Sequence, residues 1–474
     1  MAEMTSHWAR RFGRRSTPAL AVALMAGMFV AMVGPGWIVA IGAAASLGFL
    51  AYTSPGILLA AYLAIPFYKG ALQPFSPVDL TLLLAVLNAA QVLPMVVRRT
   101  APRPVAVGLW VAMAGTIVLG ATYAVNGAIA LNTAASWVAL VFLPLLAAIN
   151  VASDPRAVRQ FVLTLGGFSL VFISAGAIGL FGSHAVERLL VLDANTIGVA
   201  RAAALLPVLG AAYLTTRENT KKRWLTLALT PPAIAVGIAS GSRGPVVFAI
   251  VIVVAAVLSV GLRPGGRGLR RVLGIGAVLV LVGVPAMLLL PELPAVSLLR
   301  FDNLVAFVTG TAGGPDTSTA ARLTLFDAAW RMFSERPFTG WGTAGFAALR
   351  TFDPSVLGNT YPHNVLLQFA AEFGLVGLGL VLALFIAALR RKLPEDPAWH
   401  AVRYAFLFWL MNALVSGDIY GDRMLWGLAL LLAFRSRDPT TWMGRLDRSK
   451  GPNFTPARPG TRVEVSSGVV EGSA

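Results

Sequence analysis

Long apolar blocks recur along the chain from Ala19 to Phe434, and nothing else in it restricts the fold so strongly. A lipid interior offers the backbone no hydrogen-bond partners, so segments of about 20 apolar residues cross it as helices. Of the 474 residues 57% are hydrophobic and only 12% are charged, against about 25% charged in soluble domains. A soluble enzyme is thereby excluded. Candidate spans run over 19–33, 37–52, 57–68, 78–95, 105–123, 131–149, 161–182, 195–214, 225–240, 244–261, 272–290, 365–388, 404–417 and 423–434. Several are short for a bilayer crossing, and Gly34-Pro35-Gly36 and Ser54-Pro55-Gly56 are candidates for kinks or re-entrant turns. The expected fold is an all-α, polytopic membrane helix bundle of roughly 12 to 14 transmembrane helices with one large extracytoplasmic loop. The first block and its basic leader have the pattern of a signal peptide, with Ala43-Ala44-Ala45 as small residues for cleavage, but further blocks follow at once, so an uncleaved first helix is expected. With no cysteine in the chain, a disulfide framework, a thiolate metal site and a cysteine nucleophile are all impossible.

The net charge of +17 has meaning only through its placement. Basic clusters lie at Arg10, Arg11, Arg14 and Arg15; Arg98, Arg99 and Arg103; Arg156 and Arg159; Arg217, Lys221, Lys222 and Arg223; Arg263, Arg267, Arg270 and Arg271; and Arg390, Arg391, Lys392 and Arg403. With the basic residues beyond Phe434 they occupy alternate gaps between the apolar blocks, the positive-inside pattern of cytoplasmic loops. Both termini are then expected in the cytoplasm. The gap over 291–364 falls on the other side, where five arginines and six acids leave it near neutrality. The basic excess therefore reports topology and contact with anionic membrane lipids, and no nucleic-acid partner is expected. The expected organisation is a basic cytoplasmic N-terminus over 1–18, membrane helices over 19–290, an extracytoplasmic loop over 291–364 and C-terminal membrane helices over 365–434. The tail over 435–474, rich in Pro, Gly, Ser and charge, has too little apolar surface to order itself.

Within the outer loop, residues 319–336 have helical periodicity. At about 100° per residue, Arg322, Phe326, Ala329 and Phe333 share one face, while Asp327, Arg331 and Glu335 share the opposite one at ion-pair spacing. Thr317, Ser318 or Thr319 can cap its start and Pro337 ends it, so an amphipathic helix lying against the membrane domain is expected.

Four features of this pattern can carry chemistry. Arg322 stands on the apolar face of that helix, where it should meet something anionic; the alternative is a side chain snorkelling to lipid headgroups. Arg243 lies in Ser240-Gly241-Ser242-Arg243-Gly244-Pro245, a turn whose glycines admit close backbone approach and whose guanidinium can grip phosphate, although short membrane hairpins commonly have this composition. Arg201 sits inside a span, so it needs a polar cavity and a partner; a salt bridge to Glu372 is the plain alternative. His363 opens a span in which Asn364, Gln368 and Glu372 repeat every four residues as a polar stripe toward the bundle interior. The helix dipole there should keep its imidazole neutral and able to accept a proton, the alternative being a capping or packing role. In the last outer turn, Asp418 or Asp422 could orient His363 or contact sugar, with pairing to Arg423 the simpler use.

Three arginines and a neutral base at the outer boundary suit a pyrophosphate leaving group and a hydroxyl nucleophile. No D-x-D pair occurs, so the usual carboxylate seat for a divalent ion is missing and a route without metal or other cofactor is expected.

The stretches ARLTLFDAAWRMFSERPFTGWGTAGF and YPHNVLLQFAAEFGLVGL, with the earlier SRGP, resemble the O-antigen ligase and O-antigen polymerase superfamily, membrane glycosyltransferases of the GT-C type. The resemblance implies a GT-C-like fold in a bacterial inner or plasma membrane, with the active site on the extracytoplasmic face. It also implies inverting transfer of a glycan from an undecaprenyl-pyrophosphate carrier, a polyprenyl-pyrophosphate-linked donor, to a hydroxyl of a lipid-bound or growing saccharide acceptor in cell-envelope polysaccharide biosynthesis. The catalytic base is then His363, and Arg243, Arg322 and Arg201 bind pyrophosphate, with Arg201 matched only by an Asn followed by Arg. Asn364, Gln368, Glu372 and Asp418 take secondary places. The alternative of a transporter or flippase for lipid-linked oligosaccharide predicts related halves and discontinuous helices near mid-bilayer. A non-catalytic scaffold predicts that the arginines and histidine are dispersed in space.

Overall fold

A computed structural model of the chain describes residues 54–76, 78–92, 104–182, 191, 194–215, 220–261, 309, 317–349, 360–390 and 392–434. The expected spans over 19–33, 37–52 and 272–290, much of the loop over 291–364 and the tail over 435–474 lie outside the described residues. Within them the structure is helical: α1 (Pro55–Ala64), α2 (Leu80–Ala90), α3 (Pro104–Gly120), α4 (Gly127–Ser153), α5 (Pro155–Gly182), α6 (Thr196–Thr215), α7 (Thr220–Ala239), α8 (Arg243–Gly261), α9 (Thr317–Glu335), α10 (Gly345–Leu349), α11 (Val365–Leu389), α12 (Pro397–Ser416) and α13 (Arg423–Phe434). Among the described residues four helices are long and apolar enough to cross a membrane, over Gly127–Ser153, Pro155–Ile178, Thr196–Thr215 and Val365–Leu389, and shorter apolar helices accompany them. The chain is a membrane protein.

Helix starts follow from local chemistry. The carboxylate of Asp79 accepts from Leu82 N at 3.0 Å, the amide oxygen of Asn126 from Ile129 N at 3.1 Å and the carboxylate of Asp396 from Ala398 N at 3.0 Å. Each satisfies a backbone N–H that the first helical turn leaves without a partner. In Ser54-Pro55-Gly56, Pro55 occupies the first position of α1, where its missing N–H is harmless, and the residues before Ser54 lie outside the described ones. Gly56 marks a close crossing with α5, since a Cβ there would stand 1.9 Å from Ala157 O.

In lipid the helices gain little from hydrophobic burial against one another, so close packing by small residues carries the association. The central helix α6 is lined with buried Ala202, Ala203, Ala204, Ala211 and Ala212 and packs on α5, α7, α8 and α12. A second group of large aromatic residues, Trp110, Trp137, Trp426, Phe369 and Phe385, fills the space between α3, α4, α11 and α13. The indole N–H groups of Trp137 and Trp426 both donate to Ile419 O, at 3.3 and 3.0 Å, which pins the turn between α12 and α13.

Two contacts define the ends of the bundle. Arg159 at the start of α5 pairs with Asp396 at 2.9 Å, before the start of α12. Arg201, near the start of α6, donates to Ser416 O at the end of α12.

The expected span over 365–388 is one helix by pattern, yet α11 is interrupted at Gly374, whose φ of +61° and ψ of −155° suit glycine alone. The break is closed by the segment that follows α9. Leu375 N donates to Pro337 O at 2.7 Å, while Trp341 N and Gly342 N donate to Ala371 O and Glu372 O at 3.0 and 2.8 Å. Irregular backbone at this depth survives because another segment of the protein takes up its hydrogen bonds. A Cβ on Gly374 would stand 2.4 Å from the Phe338 carbonyl. Gly374→Ala should therefore lower stability by about 1–3 kcal/mol for the backbone conformation and by a similar about 1–3 kcal/mol for the forced repacking. The check is a depressed thermal unfolding midpoint in detergent; an unchanged midpoint would contradict this account of the break.

Candidate active site

The site is built where the starts of α6, α8 and α11 meet the end of α12 and the turn before α13. At the start of α11 the Asn364 side-chain oxygen accepts from Leu366 N and Leu367 N at 3.0 and 3.1 Å, so Asn364 is the cap. That leaves the preceding His363 free of any capping duty. Its backbone has a φ of +60°, which a residue with a Cβ adopts only at an energetic disadvantage. Its ring lies 4.4 Å from that of Tyr361, and its Nδ1 is buried without a hydrogen-bond partner. Burial is the largest cause of a lowered imidazole pKa, and the charges of Arg322 and Arg201 add to it, holding the group at about 4. The imidazole is held neutral by desolvation and the two guanidinium groups.

Arg322 reaches this position through α9, which lies against α11 as expected. The buried residues of α9 are Leu325, Ala328, Ala329 and Met332, packed with Phe346 and Ala371. Phe326 and Phe333 are only half-buried, so the packed face is rotated from the expected one, while Arg322 remains in line with Leu325, Ala329 and Met332. Larger aromatic rings would hold two helices further apart than Ala328 and Ala329 allow. The opposite face behaves as expected, with Arg331 paired to Asp327 at 3.1 Å in an exposed setting. The C-terminal end of α9 is stitched to residues 371–375 and the Arg322 charge acts on His363, so the two helices run in the same sense and Arg322 lies toward the His363 end of α11.

Arg201 donates from Nη2 to Ser416 O at 2.9 Å, and its Nη1 stands 4.0 Å from the Asp422 carboxylate. The alternative pairing with Glu372 does not occur. Glu372 instead accepts from Gln368 Nε2 at 3.2 Å, from Ala344 N at 3.1 Å and from the Tyr420 hydroxyl. Glu372 lies four positions after Gln368, so the stripe satisfies itself along the helix and leaves Asp422, at the mouth of α13, to meet Arg201. Asp422 also accepts from Trp409 Nε1 at 2.7 Å. Asp418 accepts from Tyr420 N and Gly421 N at 3.1 and 2.8 Å and so shapes the turn, with burial pushing its carboxyl above the usual range. The simpler use foreseen for the two aspartates is corrected as well: Arg423 lies over the Tyr62 ring at 5.5 Å.

The same charges gather round Tyr361. Burial raises its hydroxyl pKa, Asp418 and Asp422 reinforce the shift, and Arg201 and Arg322 oppose it. The structure thus brings His363, Tyr361, Arg322, Arg201, Asp418 and Asp422 into one neighbourhood. Arg243 begins α8 after a turn through Gly241 with a φ of +75°, and a Cβ on the adjacent Gly244 would touch Val415, next to Ser416. It belongs to the same end of the bundle. Tyr420 carries no local signal in the sequence; only its contact with Glu372, 48 positions away, brings it forward.

The gathering of guanidinium groups beside an uncharged imidazole can neutralise an anionic leaving group and accept a proton. Residues 226–382 match the O-antigen ligase family, a stretch that includes Arg243, Arg322, His363, Asn364, Gln368 and Glu372. No curated protein and no solved structure matches the chain.

Proposed function

From a chain that carries an O-antigen ligase domain and so falls in the O-antigen ligase and polymerase superfamily, we propose a membrane glycosyltransferase of cell-surface polysaccharide synthesis. The family supports a membrane enzyme of the ligase or polymerase type acting on lipid-linked glycans. The finer reading is a polyprenyl-pyrophosphate-linked glycan as donor, undecaprenyl in a bacterium, and a hydroxyl of a lipid-bound or growing saccharide as acceptor. The observation that carries it is His363, held neutral in a strained backbone with Arg322 and Arg201 acting on its ring.

In this reading the acceptor oxygen forms a bond to the anomeric carbon from the face opposite the diphosphate, and the carbon–oxygen bond to the diphosphate breaks with its electron pair staying on the leaving group. Inversion follows from the single displacement. Arg322 and Arg201, with Arg243 alongside, would neutralise the charge developing on the diphosphate, and His363 would take the acceptor's proton. Bound diphosphate also opposes the two positive charges that depress the imidazole, so the base gains strength as the donor arrives. The site would face away from the cytosol with both termini inside. The parity of the basic gaps supports this, as does the position of Arg159 and Arg403 on helices that point their other ends at the site.

Transport of lipid-linked oligosaccharide is less well supported. The backbone groups freed by the break in α11 are taken up by Pro337, Trp341 and Gly342 rather than turned toward a passing substrate.

Reconstitution in liposomes with a defined undecaprenyl-pyrophosphate glycan and candidate saccharide acceptors tests the reading, with product size followed on a gel. A ladder means polymerisation, a single shift means ligation, and no glycosidic product with any acceptor refutes the proposal. The same assay gives a pH dependence. The neutral imidazole is the proton-accepting form and its pKa in the free protein is about 4. Hence kcat/KM should fall only as the pH approaches that value from above, while kcat, which reports the donor complex, should begin to fall at higher pH.

A further inference from the structure

Beyond this reading, and resting on it, we propose that Glu372 is a positioning residue, whose carboxylate locks together the three segments that carry His363, Arg322 and Arg201. The geometry is specific. Glu372 lies on α11 nine positions after His363 and is completely buried. Its backbone carbonyl accepts from Gly342 N at 2.8 Å and its carboxylate from Ala344 N at 3.1 Å, so both ends of the residue grip the segment after α9. That segment is fastened to α9 itself, since Trp341 Nε1 donates to Met332 O at 2.9 Å and the Arg336 guanidinium covers the Trp341 ring at 4.0 Å. On its other side the carboxylate accepts from the Tyr420 hydroxyl, in the turn whose flanks, Ser416 and Asp422, hold Arg201. Gln368 completes the tie by donating to Glu372 and accepting from Ile419 N at 3.1 Å.

A buried carboxylate without an arginine partner is a poor way simply to stabilise a membrane helix, because an apolar residue would sit there at no desolvation penalty. Here three donors from three separate segments converge on it, and each segment ends at a member of the site. Tyr420 OH and Ala344 N also face each other at 2.9 Å, which links the two outer segments directly through the same point. Loosening it leaves His363 in place on α11 but lets α9 and the turn drift. Misplacement by about 1 Å can lower a rate by about 10²-fold.

The test uses two conservative changes. Glu372→Gln keeps the shape but turns an amide NH₂ toward one of the donors, and Tyr420→Phe removes only the hydroxyl. The chain has no native cysteine, so spin labels at Leu323→Cys on α9 and Val376→Cys on α11, both exposed positions outside the site, report how firmly α9 is held. In membrane-inserted protein the distance distribution should be narrow for the labelled parent and broader in each variant. The kcat for transfer should fall by about 10- to 100-fold with a smaller change in donor KM, and the double variant should be little worse than the worse single one. A fall in kcat with an unchanged distance distribution would overturn the positioning role, and so would a broadened distribution with kcat intact. If the labelled parent transfers no glycan at all, the transferase reading fails while the distances still decide the tie.

Discussion

Replacing His363 with Ala is expected to lower glycan transfer by about 10²–10⁴-fold, the range that a positioned general base contributes, with membrane insertion intact. The expectation rests on the separation of duties at the start of α11. Asn364, not His363, caps the helix, and the imidazole Nδ1 has no hydrogen-bond partner. Its removal therefore deletes no structural hydrogen bond from that atom. The backbone gives a useful control. At a φ of +60° a side chain is held at a disadvantage of about 1–2 kcal/mol, so His363→Gly should unfold at slightly higher temperature than the parent while being as inactive as His363→Ala. His363→Asn, which tolerates the left-handed region, should fold normally and also be inactive. Transfer at parental rates by the Gly and Asn variants would show that the residue serves the backbone rather than the chemistry.

Arg322→Ala should lower kcat by about 10²–10³-fold, the effect of removing one preorganised group that meets developing negative charge. It should also leave a second mark. Arg322 is the larger of the two charges that depress His363, after burial. Without it the imidazole pKa rises from about 4 toward the ordinary histidine value, so more of the imidazole is protonated at mildly acidic pH. The acid limb of kcat/KM must then move to higher pH in the variant. Arg322→Lys separates the two effects: the charge remains and the acid limb stays low, while the planar fork that can grip two phosphate oxygens is lost and kcat still drops. An unshifted acid limb in Arg322→Ala would mean that Arg322 does not act on the imidazole, and parental kcat would remove it from the leaving-group site.

Much of this site is legible in the sequence. Arg322 was found as a cation on the apolar side of an amphipathic helix, and that helix does pack on α11 with its charged face outward. His363 was found because a polar stripe of four-residue spacing begins beside it. The partners were not legible. A salt bridge to Glu372 was the plain alternative for Arg201, but a carboxylate in a polar stripe finds its nearest donor four positions back along its own helix, and Asp422 was left for the arginine. The packed face of α9 was displaced toward Leu325, Ala328 and Met332 because helix contact selects small and flexible side chains over the larger rings that the apolar count favours. The break in α11 was hidden inside an unbroken apolar run, since hydropathy does not register where a glycine takes a φ of +61°.

By itself the sequence determined that this is a helical membrane protein, because hydrocarbon leaves a long apolar segment no other way to satisfy its backbone. It also placed an arginine on the apolar side of an amphipathic helix and a polar stripe beside a histidine, both matters of spacing along one segment. Tertiary structure alone decided that Tyr420 meets Glu372 across 48 positions, that Arg201 closes onto Ser416 across 215, and that the segment after α9 fills the gap in α11. Such contacts depend on how separate helices settle against one another, where a shift of about 1.5 Å along an axis replaces one residue by the next.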